Sequence, residues 1–309
     1  MAVDLLCMGE PMLEFNQLLP QPDGRVLYLE GHGGDTSNAG IAAARQGARV
    51  GYITAIGNDA PGGSLMALWA REGVDTSTVI RTDRALTAVY FVTHDAHGHQ
   101  FLHYRKDSPA ALYAPADLPR EAIAAAKIFF ASGISQGISP SAADAVFAAI
   151  EVARGAGGKV AYDTNYRPRL WPSARAAAVM HGAIARADYV FPGMEDVVVL
   201  TGLTDPDAIL DFYLGLGPTV VVLKMGEDGA YLGLPDRRLR IPPHKVTVAD
   251  ATGAGDALCG AFLARTLAGD GPEAAARYAV VAAALKCTGY GAVAPIPFAA
   301  EVRAALQVT

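Results

Sequence analysis

The sequence predicts an α/β fold in which a mostly parallel central sheet carries helices on both faces. Apolar runs suited to strands alternate along the chain with Ala-rich stretches suited to helices. Several of these runs end in glycine or a polar residue, at the carboxyl ends where open α/β sheets bind ligands. The 309 residues, of which 51% are hydrophobic and 18% charged, are enough for one large domain with a sizeable core.

Six segments are predicted to be buried strands because each is a short, nearly continuous apolar run. In chain order they read VDLLCMG, VGYITAIG, KIFFASG, GKVAYD, ADYVFPG and TVVVLKMG. Alanine, a strong helix former, is abundant between and after these runs. Helices are therefore predicted over residues 36–46, 141–155 and 272–286.

Two extended segments interrupt this alternation. Residues 85–105 (ALTAVYFVTHDAHGHQFLHYR) contain two alternating segments around a DAHG turn, which predicts a β-hairpin. Residues 12–33 are also extended and contain the turn QPDG. We expect the two segments to form a small β-sheet lid over the strand ends, while residues 1–11, 34–84 and 106–309 form the core.

The composition argues against several classes of partner. The net charge of −6 disfavours nucleic acid, because binding to phosphate backbones needs a basic face. No apolar run reaches the roughly 18 residues that span a bilayer, and the opening MAVDLLCMGE lacks the basic start of a signal peptide. Cys7, Cys259 and Cys287 lie far apart without a CxxC pair, and we expect reduced core thiols in a cytoplasmic protein.

The strongest motif is DATGAGD at residues 250–256, followed by the apolar helical stretch ALCGAFLARTLA. Small residues let the backbone approach a phosphate, and N–H groups at a helix N-terminus bind anions. Asp256, in the first helical turn, can accept a proton from an attacking hydroxyl while the amides stabilise the phosphoryl group. The alternative is a glycine-rich turn with Asp256 as a helix cap. The chain has no GxxxxGK[ST] motif, so it is not a P-loop NTPase.

A second motif, GGDTSNA at residues 33–39, opens an Ala-rich helix. Its paired glycines allow a ligand to approach the backbone at Gly34, and Asn38 can hydrogen-bond to hydroxyl groups. Taken alone, the motif is also a simple helix-capping signal.

Together these two motifs resemble the signatures of the ribokinase-like (phosphofructokinase B) family of sugar kinases, over essentially the whole chain. The resemblance implies a three-layer α/β core with a β-sheet lid, ATP as phosphoryl donor and Mg²⁺ as helper, and it allows a monovalent cation. It implies that Asp256 is the general base and that Gly253, Ala254 and Gly255 form an anion hole. Lids in this family often pair, so a homodimer or higher homo-oligomer is expected.

The segment VVVLKMGEDGAYL fits the same family. The resemblance places its turn, with Lys224, Gly226 and Gly229, beside the nucleotide. It also places ATP contacts at Gly253 and Gly255 of the DATGAGD segment.

A third segment, DTNYRPRLW at residues 163–171, follows the strand GKVAY and so lies at a carboxyl strand end. Its DxNxRxxLW pattern is similar to that of 2-keto-3-deoxygluconate kinases, as are the segments GEPMLEF and HYRKDS. The resemblance implies that Arg167 binds the sugar acid and that Asn165 lies near the transferred phosphate. The alternative for Arg167 is a solvated or salt-bridged arginine.

In the hairpin, His103 and Arg105 are two residues apart and therefore point to one face, which Tyr90 on the partner strand can share. The resemblance places substrate contacts at all three. His103 departs from the family, which often has tyrosine there, so substrate preference can shift. Glu14 lies near a position where many sugar kinases have an Asp, and it is left out of the predicted site.

For the metal, the resemblance implies that Glu195 organises Mg²⁺ through water, although Pro192 stands where the family often has Asn. Four histidines crowd the hairpin and raise a second metal site as an alternative: His94, His97, His99 and His103. Solvent-exposed turn histidines explain this crowding more simply.

The leading functional hypothesis is ATP-dependent phosphorylation of 2-keto-3-deoxygluconate to its 6-phosphate, with Asp256 as base. The alternative enzyme is a kinase of a neutral sugar such as fructose or ribose. Arg105 and Arg167 argue against it, because a neutral sugar would leave two guanidinium groups unpaired. A third hypothesis, a sugar-binding sensor on a disabled kinase scaffold, conflicts with the intact GAGD segment.

Overall fold

The six predicted strands all belong to one nine-stranded sheet in the computed structural model, which describes residues 3–18, 23–95 and 98–307. In chain order the strands are β1 (Leu5–Met8), β2 (Met12–Gln17), β3 (Tyr28–Gly33), β4 (Val50–Gly57), β5 (Val79–Thr82), β6 (Val89–Asp95), β7 (Gly98–Tyr104), β8 (Ile128–Ser132), β9 (Lys159–Asp163), β10 (Tyr189–Phe191), β11 (Val220–Lys224), β12 (Ala230–Gly233) and β13 (Arg238–Ile241). The helices are α1 (Asp35–Arg45), α2 (Ala60–Glu72), α3 (Arg120–Ala125), α4 (Gly133–Gly137), α5 (Pro140–Gly155), α6 (Ser173–Ile184), α7 (Met194–Thr201), α8 (Pro206–Gly215), α9 (Ala254–Leu267), α10 (Pro272–Lys286) and α11 (Ala299–Gln307).

The large sheet has the strand order β13-β12-β11-β10-β9-β8-β1-β4-β5. Its strands run parallel from β11 to β5, whereas β12 and β13 pair antiparallel at one edge. The connection from β11 to β12 is a short turn, and a parallel pairing would need a long crossover there. The predicted mostly parallel α/β sheet is confirmed, and β5, β12 and β13 extend it at its two edges.

Helices cover both faces of this sheet because side chains alternate along each strand. In β1, Leu5 and Cys7 belong to one buried cluster, whereas Leu6 and Met8 belong to another. The first cluster includes residues of α1, α2, α9 and α10, and the second includes residues of α5, α6 and α8. The result is the three-layer arrangement that the family resemblance implies.

The second sheet has four strands in the order β3-β2-β6-β7. β6 and β7 pair antiparallel from Val89 opposite Tyr104 onwards, which confirms the predicted hairpin. β2 pairs antiparallel with β3 and parallel with β6. Residues 96 and 97 of the DAHG turn and residues 21 and 22 of the QPDG turn lie outside the described residues. The role of this sheet as a lid, and the domain limits drawn around it, stay predictions.

The three predicted helices are confirmed to within one residue as α1, α5 and α10. α5 begins where the Ser139 hydroxyl accepts a hydrogen bond from the N–H of Ala142 at 3.0 Å. α10 begins with Pro272, a residue that suits the first helical position. Within the described ranges, no helix is long and apolar enough to cross a membrane.

The three cysteines are buried and free, as the sequence predicts. The Sγ of Cys259 lies 3.4 Å from a carboxylate oxygen of Asp163, and that of Cys287 lies 3.2 Å from the carbonyl of Ala283. Burial raises the pKa of Cys7, Cys259 and Cys287, so these thiols stay protonated and pack as small core residues.

α1 and α9 meet at a glycine. A Cβ atom built on Gly260 of α9 would lie 2.1 Å from the carbonyl oxygen of Ala39 and 2.8 Å from the Cβ of Ala42, both in α1. Neither atom can swing aside, so a glycine is needed for the two helices to approach this closely. The contact sets the spacing between Asn38 on α1 and Asp256 on α9.

We predict that Gly260→Ala destabilises the protein by about 1–3 kcal/mol, the usual cost of overpacking a core. Chemical denaturation followed by circular dichroism measures the loss. The matched control is Gly63→Ala in α2, where an added Cβ meets no atom within 4 Å. The control should leave stability unchanged or raise it by about 0.5–1 kcal/mol, because alanine is the better helix former. Equal effects of the two substitutions would contradict the close contact between α1 and α9.

Candidate active site

A cavity of about 990 Å³ lies between the carboxyl ends of the parallel strands and the second sheet. Residues after β1 and β9 and the last residue of β11 line it, together with the first turns of α1 and α9 and parts of β6 and β7. Its size is typical of a small-molecule site. The predicted site residues that line it are Gly34, Asn38, Tyr90, His103, Arg105, Asn165, Arg167, Lys224, Gly253, Gly255 and Asp256.

Asp256 is the third residue of α9 and is 9% exposed. The side-chain amide of Asn38 donates a 2.8 Å hydrogen bond to its Oδ2. α9 starts after Gly253, whose φ of 78° lies in the left-handed region that favours glycine, and no side chain caps the helix. The capping alternative for Asp256 is therefore wrong. The Oδ1 of Asn38 is buried and has no hydrogen-bond partner among the described residues, so it can accept from a ligand hydroxyl.

The environment of Asp256 suits a proton acceptor. Burial, and after it the negative charge of Asp35, raises the pKa of Asp256 to about 7. The hydrogen bond from Asn38 and the charge of Lys224 act in the opposite direction. A carboxylate whose pKa lies near the working pH can both accept a proton and be regenerated.

The backbone before Asp256 presents N–H groups that are free to bind an anion. Those of Gly253, Gly255 and Asp256 have no backbone acceptor in the described part of the chain. The N–H of Ala254, by contrast, donates to the carbonyl of Ala251 at 3.1 Å. An anion hole at this helix N-terminus can therefore use Gly253, Gly255 and Asp256, whereas the amide of Ala254 already has a partner.

Lys224 reaches the cavity from the end of β11. Its Nζ lies 2.6 and 2.8 Å from the two carboxylate oxygens of Asp163, at the end of β9. Burial lowers the pKa of Lys224, but the charges of Asp163, Cys259 and Asp196, together with the hydrogen bond to Asp163, raise it overall. A Cβ atom on Gly255 would lie 3.3 Å from this Nζ, so the ammonium stands next to the free amides. Gly226 and Gly229 lie on the following turn and do not line the cavity.

On the second sheet, Tyr90 of β6 and His103 of β7 face each other across the hairpin. Their rings stack with centroids 5.5 Å apart, which places them on one face as the sequence predicts. The Tyr90 hydroxyl donates a hydrogen bond to Glu14 of β2. Glu14, which the sequence leaves out of the site, therefore positions Tyr90.

Three guanidinium groups surround this end of the cavity. Burial, and then the charges of Arg105, Arg169 and Arg167, lower the pKa of His103 to about 4. The imidazole is therefore neutral at neutral pH and can hydrogen-bond a hydroxyl. Arg105 forms an ion pair with Glu10, which is 1% exposed and follows β1.

The arginine pairing corrects one expectation. A neutral sugar would not leave Arg105 unpaired, because Glu10 already balances it. Arg167 donates to the carbonyl of Tyr166 at 2.9 Å, and within the described residues it has no carboxylate partner. Arg167 is thus the predicted acid-binding residue whose charge is still available.

Asn165 lies at the carboxyl end of β9 with a φ of 33°, unusual for a residue other than glycine. Its side-chain amide donates to Asp35 at 3.2 Å, at the start of α1. The other carboxylate oxygen of Asp35 is buried and unpartnered among the described residues, and Asp35 lines the cavity. Both side chains can therefore meet a ligand.

The predicted metal residue Glu195 is exposed on α7 and, like its neighbour Asp196, does not line the cavity. The carboxylate of its neighbour Asp196 instead accepts hydrogen bonds from Thr164 Oγ1 at 2.8 Å and from the N–H of Tyr166 at 3.1 Å. Burial raises the pKa of Asp196. In the described ranges, no group of three or more His, Cys, Asp or Glu residues could hold a metal ion.

The histidines of the hairpin fall partly outside the described residues. His94 lies 2.8 Å from the Oδ1 of Asn16, and His103 stacks on Tyr90. His97 and the side chain of His99 lie outside the described residues.

The sequence motifs predict no role for four carboxylates in and around the site: Glu10, Asp35, Asp163 and Asp196. The sequence indicates two of them as site residues. Asp163 ends a predicted strand and Glu10 follows one, and the carboxyl ends of parallel strands lie at the same edge of the sheet. Asp35 stands inside a recognised motif. The choice between Glu195 and Asp196 depends on the rotation of α7, which one residue changes by about 100°.

The comparison with known families decides the class of the protein. Residues 24–299 match the model of the pfkB family carbohydrate kinases, which is most of the chain. The chain belongs to this family. It is therefore an ATP-dependent carbohydrate kinase, as the resemblance implies.

Two curated relatives of this kinase carry different substrate names. A 2-dehydro-3-deoxygluconokinase of Thermoproteus tenax is 34% identical over 92% of this chain and 88% of its own. Fructokinase-1 of Oryza sativa subsp. japonica is 32% identical over 96% of each chain. Overall identity thus leaves the substrate to be argued from the site.

Solved structures agree with the fold of this kinase. A PfkB protein from Polaromonas sp. JS666 has a TM-score of 0.88 at 30% identity, over 98% of this chain and 100% of its own. A proposed ribokinase II from E. coli, in complex with ATP and Mg²⁺, has a TM-score of 0.90 at 22% identity, over 99% and 100%. The ribokinase-like fold is confirmed.

We predict that kcat/KM of this kinase for its sugar falls below about pH 7, because Asp256 must lose its proton before it can accept another. Asp35→Asn removes a charge that raises the pKa of Asp256, so the acid limb should move to lower pH. Rate profiles over about pH 5–9 at saturating ATP measure the midpoint. Asp236→Asn, in the exposed turn between β12 and β13, is the control and should not shift it. An unshifted midpoint in Asp35→Asn would contradict the coupling of the two carboxylates.

Proposed function

We propose that this kinase phosphorylates the terminal hydroxyl of a 2-keto-3-deoxy sugar acid, converting 2-keto-3-deoxygluconate to its 6-phosphate, with Asp256 as general base. The observation that carries the proposal is the charge of the cavity lining, which combines three arginines with the carboxylates around Asp256. Arg105, Arg167 and Arg169 lie around His103, and the ion pair with Glu10 balances one of them, Arg105. This region has an excess of positive charge that a carboxylate would satisfy.

The region around Asp256 is acidic. Asp35 and Asp163 both raise the pKa of Asp256, and Lys224 offsets only part of their charge. A hydroxyl that gives up a proton is favoured here, and a second carboxylate is not. A six-carbon sugar acid therefore fits with its acid group at the arginines and its far hydroxyl at Asp256.

In the proposed reaction, Asp256 accepts the proton of the terminal hydroxyl as the hydroxyl oxygen forms a bond to the γ-phosphorus of ATP. The bond between that phosphorus and the bridging oxygen breaks, and ADP leaves. Asn38 keeps the carboxylate in place through its 2.8 Å hydrogen bond. The free amides of Gly253 and Gly255, with the ammonium of Lys224 beside them, stabilise charge on the transferred group.

The residues present fit a Mg²⁺ ion that arrives with the ATP phosphates. Mg²⁺ keeps several waters and needs only one or two protein carboxylates besides the phosphates. Asp196 offers a carboxylate oriented by Thr164 and Tyr166 at the end of β9. We assign the water-mediated metal contact to Asp196 rather than to Glu195. The ion supplies charge neutralisation on the phosphates.

The acid is favoured over a neutral sugar by Arg167 rather than by both predicted arginines. Arg167 lines the cavity without a carboxylate partner in the described residues, which removes the salt-bridged alternative. Its side chain is exposed, so the solvated alternative stays open and is decided by the substitution below. The name of the Thermoproteus tenax relative agrees with an acid, and that of the Oryza sativa relative with fructose. Fructose is therefore the competing substrate. A cytoplasmic location and the absence of nucleic-acid and membrane partners stay predictions.

A homodimer is proposed through the outer face of the second sheet. Phe15, Phe91, Tyr28 and Tyr104 form an aromatic cluster there, and Leu102 lies beside Phe91 on the neighbouring strand. Tyr104 is 59% exposed and Leu102 55%. A contiguous apolar face of this kind is usually covered by a partner, and a second copy would present the same face.

We predict that sedimentation velocity finds a dimer of the wild type and that Leu102→Glu shifts it toward monomer, because a charge would be buried at the contact. The control is Leu86→Glu, a more exposed leucine outside the second sheet, which should leave the dimer intact. A monomeric wild type at micromolar concentration would contradict this interface.

We predict that Asp256→Asn lowers kcat by roughly 100- to 10,000-fold, the usual scale for removing a general base. Binding of ATP and sugar, measured by calorimetry, should change much less, since the amide keeps the shape and the contact with Asn38. The control is Asp144→Asn, an exposed residue of α5. Near-normal turnover by Asp256→Asn would show that the base is elsewhere.

We predict that Arg167→Ala raises KM for the sugar acid by about 10- to 150-fold, the equivalent of one charge-assisted hydrogen bond. Slow activity on fructose should change little, because fructose lacks the charge. The control is Arg175→Ala, an exposed arginine of α6. A coupled assay of ADP release across gluconate- and galactonate-derived acids, fructose and ribose completes the test. Fructose or ribose as the best wild-type substrate would refute the acid and leave the kinase assignment intact.

A further inference from the structure

Lys286 is a buried charge that the proposed reaction does not use. It is the last residue of α10, and its side chain is 0% exposed. Lysine is almost never fully buried unless it is paired. Within the described residues, the lysine salt bridges do not include Lys286. Its Nζ instead donates a 2.8 Å hydrogen bond to the backbone carbonyl of Asp250.

The carbonyl that Lys286 holds belongs to the first residue of the DATGAGD segment. The carboxylate of Asp250 is also engaged, since it accepts from the N–H of Thr252 at 2.9 Å and from the N–H of Gly291 at 2.8 Å. The N–H of Asp250 in turn donates to the carbonyl of Cys287. All polar groups of Asp250 therefore form hydrogen bonds that hold the turn before the free amides. The hydrogen bond from Lys286 to its carbonyl is one of them.

The ammonium also interacts electrostatically with acidic groups in and around the site. Burial lowers the pKa of Lys286, while the charges of Asp250, Cys287, Asp256 and Glu14 act to raise it. A cation at the C-terminal end of a helix is favoured by the helix dipole. Through its 2.8 Å hydrogen bond to the carbonyl of Asp250, the ammonium lies directly against the start of the phosphate-binding turn.

We propose that Lys286 is a positioning residue for phosphoryl transfer: its ammonium fixes the carbonyl of Asp250 as a bound K⁺ or Na⁺ would, so that the kinase needs no free monovalent cation. Hard cations are bound in proteins by oxygen ligands such as backbone carbonyls and carboxylates. The proposal rests on the proposed function in one respect, namely that ATP phosphates meet the amides of Gly253 and Gly255.

The test uses Lys286→Met, Lys286→Ala and the wild type, assayed with whichever sugar the wild type prefers. Lys286→Met keeps the length of the side chain and removes its charge, which should leave Tm unchanged or higher. We expect it to lower kcat/KM for ATP by about 10- to 100-fold, the range of a lost charge-assisted hydrogen bond. The control is Lys245→Met, an exposed lysine upstream of the same motif, which should match the wild type.

Cation replacement separates this role from simple packing. Ammonium or potassium chloride should restore activity to Lys286→Ala, which leaves room for an ion, but not to Lys286→Met, which fills it. Exchange of potassium for choline at constant ionic strength should leave the wild-type rate unchanged, and this arm does not depend on the folding of any variant. A wild type that requires potassium or sodium, a Lys286→Met enzyme with wild-type constants, or an unrestored Lys286→Ala enzyme would each overturn the proposal. Failure of the proposed function is seen separately, as activity retained in Asp256→Asn or a preference for a neutral sugar.

Discussion

The hydrogen bond from Asn38 to Asp256 is the contact on which the rest of the site depends, because it joins the two helices that carry the chemistry. α1 and α9 come close enough to form it only through the glycine at position 260, where any side chain would meet the backbone of α1. The bond holds the Asp256 carboxylate at the floor of the cavity while its other oxygen remains for a substrate. A core packing constraint therefore fixes the position of the carboxylate that is proposed to accept the proton.

The charges of the site form a second constraint. Three carboxylates crowd the catalytic end, and the pKa of Asp256 rises to about 7 because burial and Asp35 disfavour its charged form. Such crowding destabilises a folded protein unless cations offset it. Lys224 does so by pairing with Asp163, and Lys286 does so from behind the loop. Because these two lysines lie close to the loop, the free amides of the loop are where the negative charge of a phosphate is best stabilised. In the proposed complex, the contact of the acid group with Arg167 would set the orientation of the substrate.

Much of this arrangement could be predicted from the sequence, because it depends on local patterns. The six core strands, three helices, the hairpin and the two glycine-rich motifs all follow from apolar periodicity and turn chemistry. The missing parts are contacts between distant segments. The pairing of Arg105 with Glu10 joins residues 95 positions apart, and it changes which arginine can bind an acid. The engaged amide of Ala254, the hydrogen bonds of Asp196 to Thr164 and Tyr166, and the burial of Lys286 depend on turn geometry and helix rotation. Periodicity does not fix these to a single residue.

A crystal structure of the kinase with 2-keto-3-deoxygluconate and a non-hydrolysable ATP analogue tests the central claim most directly. The account predicts that the terminal hydroxyl lies about 2.6–3.2 Å from a carboxylate oxygen of Asp256, in line with the γ-phosphorus. It also predicts that the acid group of the sugar contacts Arg167 at the opposite end of the cavity. A sugar bound in the reverse direction, with its acid group at α9 or its terminal hydroxyl out of reach of Asp256, would contradict the account.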